Sequence, residues 1–123
     1  MISTGCSNKN AIEKTIMIGN LEVAYMDFSD KMNWQDAQDA CAELGDGWRL
    51  PSRDELSMIY SFENNTARLS ESGQYWSNTQ SNPGAKPSDV YADTWSKRYF
   101  EKYENLATHA VQAECLIRTV RSL

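Results

Sequence analysis

The stretch GDGWRLPSRDEL, residues 45–56, constrains the fold of this chain more than any other. Gly45 and Gly47 flank Asp46 and permit a tight reversal out of a helix. Trp48, Leu50 and Leu56 then place apolar surface around Arg49 and Pro51. Pro51 holds Leu50 in extended backbone. Ser52 and Glu55 have the S-x-x-E spacing of a capping box, in which each end of the pair satisfies a free amide of the other. The stretch therefore ends one helix, runs extended and begins a second. Its aromatic and aliphatic residues read as internal packing.

The segment before it, NWQDAQDACAELG, has the periodicity of an amphipathic helix. Trp34, Ala37, Cys41 and Leu44 recur at helical spacing, with Asp36, Asp39 and Glu43 on a solvated face. Asn33 suits the N-cap, Asp36 the positive end of the dipole, and Gly45 the left-handed stop. Upstream, Ile16 and Ile18 alternate before Gly19-Asn20, and Leu21, Val23 and Tyr25 alternate after it, the pattern of a hairpin. After the second helix, with Leu56, Ile59 and Tyr60 as its apolar stripe, residues 63–93 turn to Asn, Ser, Thr, Gly and Pro. Such long irregular segments in compact domains commonly carry function. Beyond it, YADTWSKRYF and HAVQAECLIRTVR have strand-like composition. In the last run Leu116, Arg118 and Val120 share one face, and Cys115, Ile117 and Thr119 the other.

At 123 residues the chain is one domain, expected as a polar tail over 1–14 and a folded unit over 15–123. A net charge of −5 argues against a phosphate-backbone partner. WSKRYFEKYE, residues 95–104, interleaves basic and aromatic residues as single-strand surfaces do. Glu101, Glu104 and Asp93 balance it, so it reads as an amphipathic strand and no nucleic-acid partner is expected. No apolar run reaches the roughly 20 residues of a membrane span. No signal peptide is visible, which points to the cytoplasm. STGCSNKN around Cys6 is similar to a bacterial lipoprotein junction, and with a leader upstream it would place the domain at the cell envelope. The stretch by itself reads as a polar tail. Three cysteines cannot all pair with one another. Cys41 and Cys115 bridged, or three free thiols, are both consistent with the count.

Taken in order, the hairpin, W-x-x-A-x-x-x-C, GWRLP, the capped helix, YWS-x-T and the terminal R-x-V-R resemble the Lcl C-terminal domain family of bacteria, over roughly residues 16–123. The resemblance implies an α+β, C-type-lectin-like domain: two helices flanking a small antiparallel sheet, with a long irregular loop region. It makes Trp48, Leu50 and Leu56 core residues and Trp76 a second core anchor. It also matches Cys41 and Cys115 to the helix-to-last-strand disulfide of secreted lectin-like domains. Sugar-binding relatives hold calcium with EPN or QPD and then WND. Here SNP and ADTW stand in the loop, so no lectin-type calcium and no other metal or cofactor is expected. Formylglycine-generating enzymes share the wider fold, but the sequence context of their reactive cysteines is absent.

Arg49 and Arg118 are expected in a partly buried polar network, with Glu55 and Asp54 as partners, because a buried charge needs neutralising. His109 stands alone, without metal-ligand spacing or an exposed thiol to activate, and no catalytic residue is assigned. Recognition is assigned to Tyr75, Asn78, Gln80, Asn82, Asp89, Tyr91 and Asp93, side chains that stack and hydrogen-bond at little entropic cost. The expected function is non-enzymatic binding of a protein or glycan partner through this loop surface. The alternative is an assembly subunit of an envelope, fibre or phage particle, packing as a homo-oligomer.

Overall fold

The structure, a computed structural model, describes residues 10–70, 73–80, 91–95, 108–110 and 114–123. For residues 79–80, 91–95 and 108–110 the description is of backbone alone. Strands β1 (Thr15–Ile18) and β2 (Leu21–Ala24) form the expected antiparallel hairpin, with Ile18 opposite Leu21 and Thr15 opposite Ala24. Gly19 makes the turn at φ +62°, where a β-carbon would be strained. The last strand of the chain, β6 (Val120–Ser122), pairs antiparallel with the other side of β2, Val120 opposite Val23. Strands β1 and β6 thus flank β2 in one sheet, in the order β1-β2-β6.

Helix α1 (Trp34–Glu43) starts where Asn33 accepts the Asp36 amide at 2.8 Å and stops before Gly45 at φ +72°. Helix α2 (Arg53–Ser61) carries the full capping box, with both Ser52–Glu55 hydrogen bonds formed. A second antiparallel sheet follows, built from β3 (Tyr75–Gln80), β4 (Tyr91–Trp95) and β5 (Thr108–Ala110) in that order. The architecture is α+β, as expected, and among the described residues the strands form two small antiparallel sheets.

The C-terminal segment joins them. Cys115 bridges to Met32 and Leu116 runs parallel to Tyr75. Ile117 and Thr119 carbonyls take the Phe28 and Ala24 amides, and Val120 exchanges two backbone bonds with Arg49. Two apolar clusters result. One gathers Ala37, Ala40 and Cys41 of α1 with Leu50, Trp76, Phe28 and Ile117. The other gathers the hairpin residues Ile18, Leu21 and Val23 with Leu56 and Ile59 of α2, Leu69, Tyr75 and Val120.

Two expectations are corrected at this level. The folded unit reaches further upstream than residue 15: Asn10–Ile12 form a 3-10 turn with Ala11 buried in the first cluster. A three-residue turn has no period to read from sequence. And Cys41 and Cys115 are free thiols, not a disulfide. Facing the same core accounts for their inward placement, since free Cys packs as a small apolar residue. A bridge further requires a specific approach of the β-carbons, which a shared face does not provide.

Candidate functional site

Strand β3 positions the candidate surface. Successive residues of a strand point to opposite sides, and at the start of β3 both sides are core. Tyr75 enters the cluster shared by α2 and the hairpin, while Trp76 enters the cluster of α1. The Trp76 indole N–H donates to the Met32 carbonyl at 2.8 Å, and the Trp34 indole N–H donates to the Ser77 carbonyl at 2.8 Å. Leu116 brackets the strand, accepting from the Trp76 amide and donating to the Gln74 carbonyl. The Asn78 amide then donates to the Pro51 carbonyl at 2.9 Å, and the Asn78 side chain reaches solvent.

Of the residues assigned to recognition, Tyr75 is the correction. It is fully buried, and its hydroxyl serves the interior. The assignment followed from its place in a turn-rich stretch, where period-2 burial on both faces cannot be seen. Asn78 is exposed. Gln80 lies opposite Ala92, while Tyr91 and Asp93 lie opposite Ala110 and Thr108, so the three backbones belong to one sheet. The side chains of Gln80, Tyr91 and Asp93, and all of Asn82 and Asp89, fall outside the described residues, as does WSKRYFEKYE beyond Trp95. His109 sits at the backbone position opposite Ala92.

The charged side chains Arg49, Arg121 and Arg118 each pair with a carboxylate of the chain. Arg49 makes a two-pronged pair with Glu55, at 2.8 and 2.9 Å, and also reaches the Ser122 hydroxyl. Arg49 holds the Glu55 carboxyl below its ordinary range, with the Ser52 amide assisting against burial. Trp48, 6 % exposed, is covered by the Arg121 guanidinium at 4.8 Å from its ring. Arg121 in turn pairs with Glu22 at 2.6 Å.

Arg118, 2 % exposed, does not meet Glu55 or Asp54. Its Nε donates to Asp27 at 2.8 Å. Its two Nη groups donate to the carbonyls of Ala24, Ala67 and Arg68. The Tyr75 hydroxyl donates to the same Asp27 carboxylate at 3.0 Å and accepts the Ser70 amide at 2.7 Å. Burial, and then the Asp27 charge, push the Tyr75 hydroxyl far above its ordinary pKa. Asp27 lies 91 residues from Arg118 in the chain, and nothing near it in sequence marks it as the partner.

The thiols carry no activated character. Burial pushes both Cys41 and Cys115 up to about 11, with Thr119 and Lys31 respectively opposing it. At neutral pH both are protonated and shielded, the state of structural cysteines. Among the described residues, no group of three or more His, Cys, Asp or Glu side chains is arranged to hold a metal ion, and no helix is long and apolar enough to cross a membrane.

Among solved structures, the chain is similar to EMS16, an antagonist of the collagen receptor integrin α2β1, with 12 % identity and a TM-score of 0.64 over 89 % of this chain and 97 % of that one. The snake venom toxin convulxin gives 12 % identity and a TM-score of 0.64 over 90 % and 96 %. Botrocetin gives 13 % and 0.59 over 89 % and 96 %. At such identities the likeness is one of fold, which is C-type-lectin-like. No curated protein matches the sequence. The family model of the Lcl C-terminal domain matches residues 6–121, nearly the whole chain, and the protein belongs to that family.

Proposed function

We propose that this domain is a non-enzymatic recognition module that meets a protein or glycan partner on the surface carried by β3 and β4 and the chain between them. The observation that carries the reading is the anchoring of β3. Two core clusters and two indole hydrogen bonds fix its first three residues, and Asn78 emerges from that fixed base into solvent. A rigid scaffold presenting polar, turn-rich sequence is a general design for binding. EMS16, which shares the fold, is described as acting against a receptor, and this agrees with a binding role. The neutral, enclosed state of Cys41 and Cys115 agrees with the absence of thiol chemistry.

In this reading Asn78, Gln80, Asn82, Asp89, Tyr91 and Asp93 contact the partner, and no lectin-type calcium takes part. A glycan array together with pull-down from the native host identifies the class of partner. Asn78→Ala and Tyr91→Ala should each weaken capture while leaving the melting temperature nearly unchanged. Capture that is indifferent to both substitutions, or a stoichiometric calcium ion found by equilibrium dialysis, would overturn the corresponding part of the reading.

A further inference from the structure

The chain leaves α2 through a turn, residues 62–70, with an unusual backbone. Glu63, Asn64, Asn65 and Arg68 have φ values of +45°, +59°, +60° and +62°. That region favours glycine, tolerates asparagine and costs other residues energy. Three consecutive non-glycine residues there persist when the surroundings over-determine them. Part of the hold is local: the Asn65 side chain both donates to the Leu69 carbonyl and accepts the Leu69 amide, each at 2.9 Å. The rest comes from distant chain. Arg118 binds the carbonyls of Ala67 and Arg68, and Tyr75 binds the Ser70 amide. Ala67 and Leu69 are buried beneath, while Glu63, Asn64, Thr66 and Arg68 face solvent. Among the described residues, Asp27 is the carboxylate paired with Arg118.

We infer that residues 62–70 form a latched flap: a strained turn held shut by the Arg118 guanidinium, with Asp27 as the counter-ion that keeps the guanidinium inside. Opening releases four left-handed residues and uncovers Tyr75, while the β1-β2-β6 sheet stays formed. Closing is concentrated in one cation, because a single guanidinium satisfies two carbonyls of the turn and one of β2. Removal of the Asp27 charge leaves that cation buried without compensation. It regains water by abandoning the Ala67 and Arg68 carbonyls, the contacts that hold the turn.

Native-state hydrogen exchange on the full chain tests this. The Arg68, Leu69 and Ser70 amides report the flap, and the Ala24 and Val120 amides, bonded to Thr119 and Arg49, report the sheet. The wild-type flap amides should exchange faster than the sheet amides. Asp27→Asn should accelerate the flap amides by on the order of a hundredfold and leave the sheet amides unchanged. Tyr75→Phe keeps the ring in the core and should accelerate Ser70 by about tenfold, confined to the turn. It decides the matter if Asp27→Asn fails to fold. Flap and sheet amides exchanging in step in the wild type and the folded variants would mark a single cooperative unit and overturn the inference. So would an Asp27→Asn flap with wild-type exchange.

Discussion

Glu22 and Glu55 are two carboxylates through which acid should reach this fold. Thr15, then Arg121, hold Glu22 below its ordinary value of 4.5, and Arg49 does the same to Glu55. A carboxyl group whose pKa is lowered on folding stabilises the protein fully above its unfolded value, and that contribution disappears as pH falls through the lowered folded value. Denaturant midpoints taken from about pH 7 down to about pH 3 should therefore hold level and then decline below about 4.5. The double substitution Glu22→Gln with Glu55→Gln should lower the plateau and flatten the decline. An equally steep acid limb in that variant would place the acid sensitivity elsewhere. Glu55 was legible as a partner for Arg49 because six residues separate them and the capping box fixes its place. Arg118 was legible as a buried cation needing a carboxylate, but not as the partner of Asp27.

At the scale of elements, both helices follow from their sequence signals. The caps are contacts across three residues, so their signals are legible in the local sequence alone. Ser52→Ala should cost about 1 kcal/mol of unfolding free energy, read from urea titration, because one end of the capping box is lost. The hairpin is equally local. Strand β3 is not. Its sequence, YWSNTQ, signals a short strand or anchor, yet burial on both faces depends on α1 arriving from one side and α2 with the hairpin from the other. Trp76→Ala should cost about 3–5 kcal/mol, whereas Asn78→Ala, at an exposed position, should cost well under half as much. A small loss at Trp76 would mean that the α1 cluster does not depend on it. The misplacement of Tyr75 belongs here too: an aromatic beside polar turn residues looks available until the second layer of core is known.

For the whole molecule, the C-terminal segment decides the assembly. Residues 115–120 run between the two sheets and touch the Met32 region, β3, the chain after β2 and the GWRLP stretch. Cys41 and Cys115 share the first core cluster beside this seam as free thiols. Both should therefore resist alkylation in the native protein and react fully once it is unfolded without reductant. Mass spectrometry under non-reducing conditions that finds either cysteine unmodified after unfolding would contradict the free-thiol state.

The sequence by itself determined what depends on neighbours a few residues apart: the two helices and their caps, the Gly19 turn, the inward faces of α1 and α2, and the core role of Trp48 and Leu50. It also carried the family, because GWRLP, YWS and R-x-V-R in order are a pattern of chain and need no coordinates. The tertiary structure alone decided which carboxylate neutralises Arg118, which aromatic of the Tyr75–Trp76 pair faces which core, and whether two inward cysteines meet. Those outcomes turn on approaches between segments tens of residues apart. Burial and charge say that such a group needs a partner, and only the packed chain selects one.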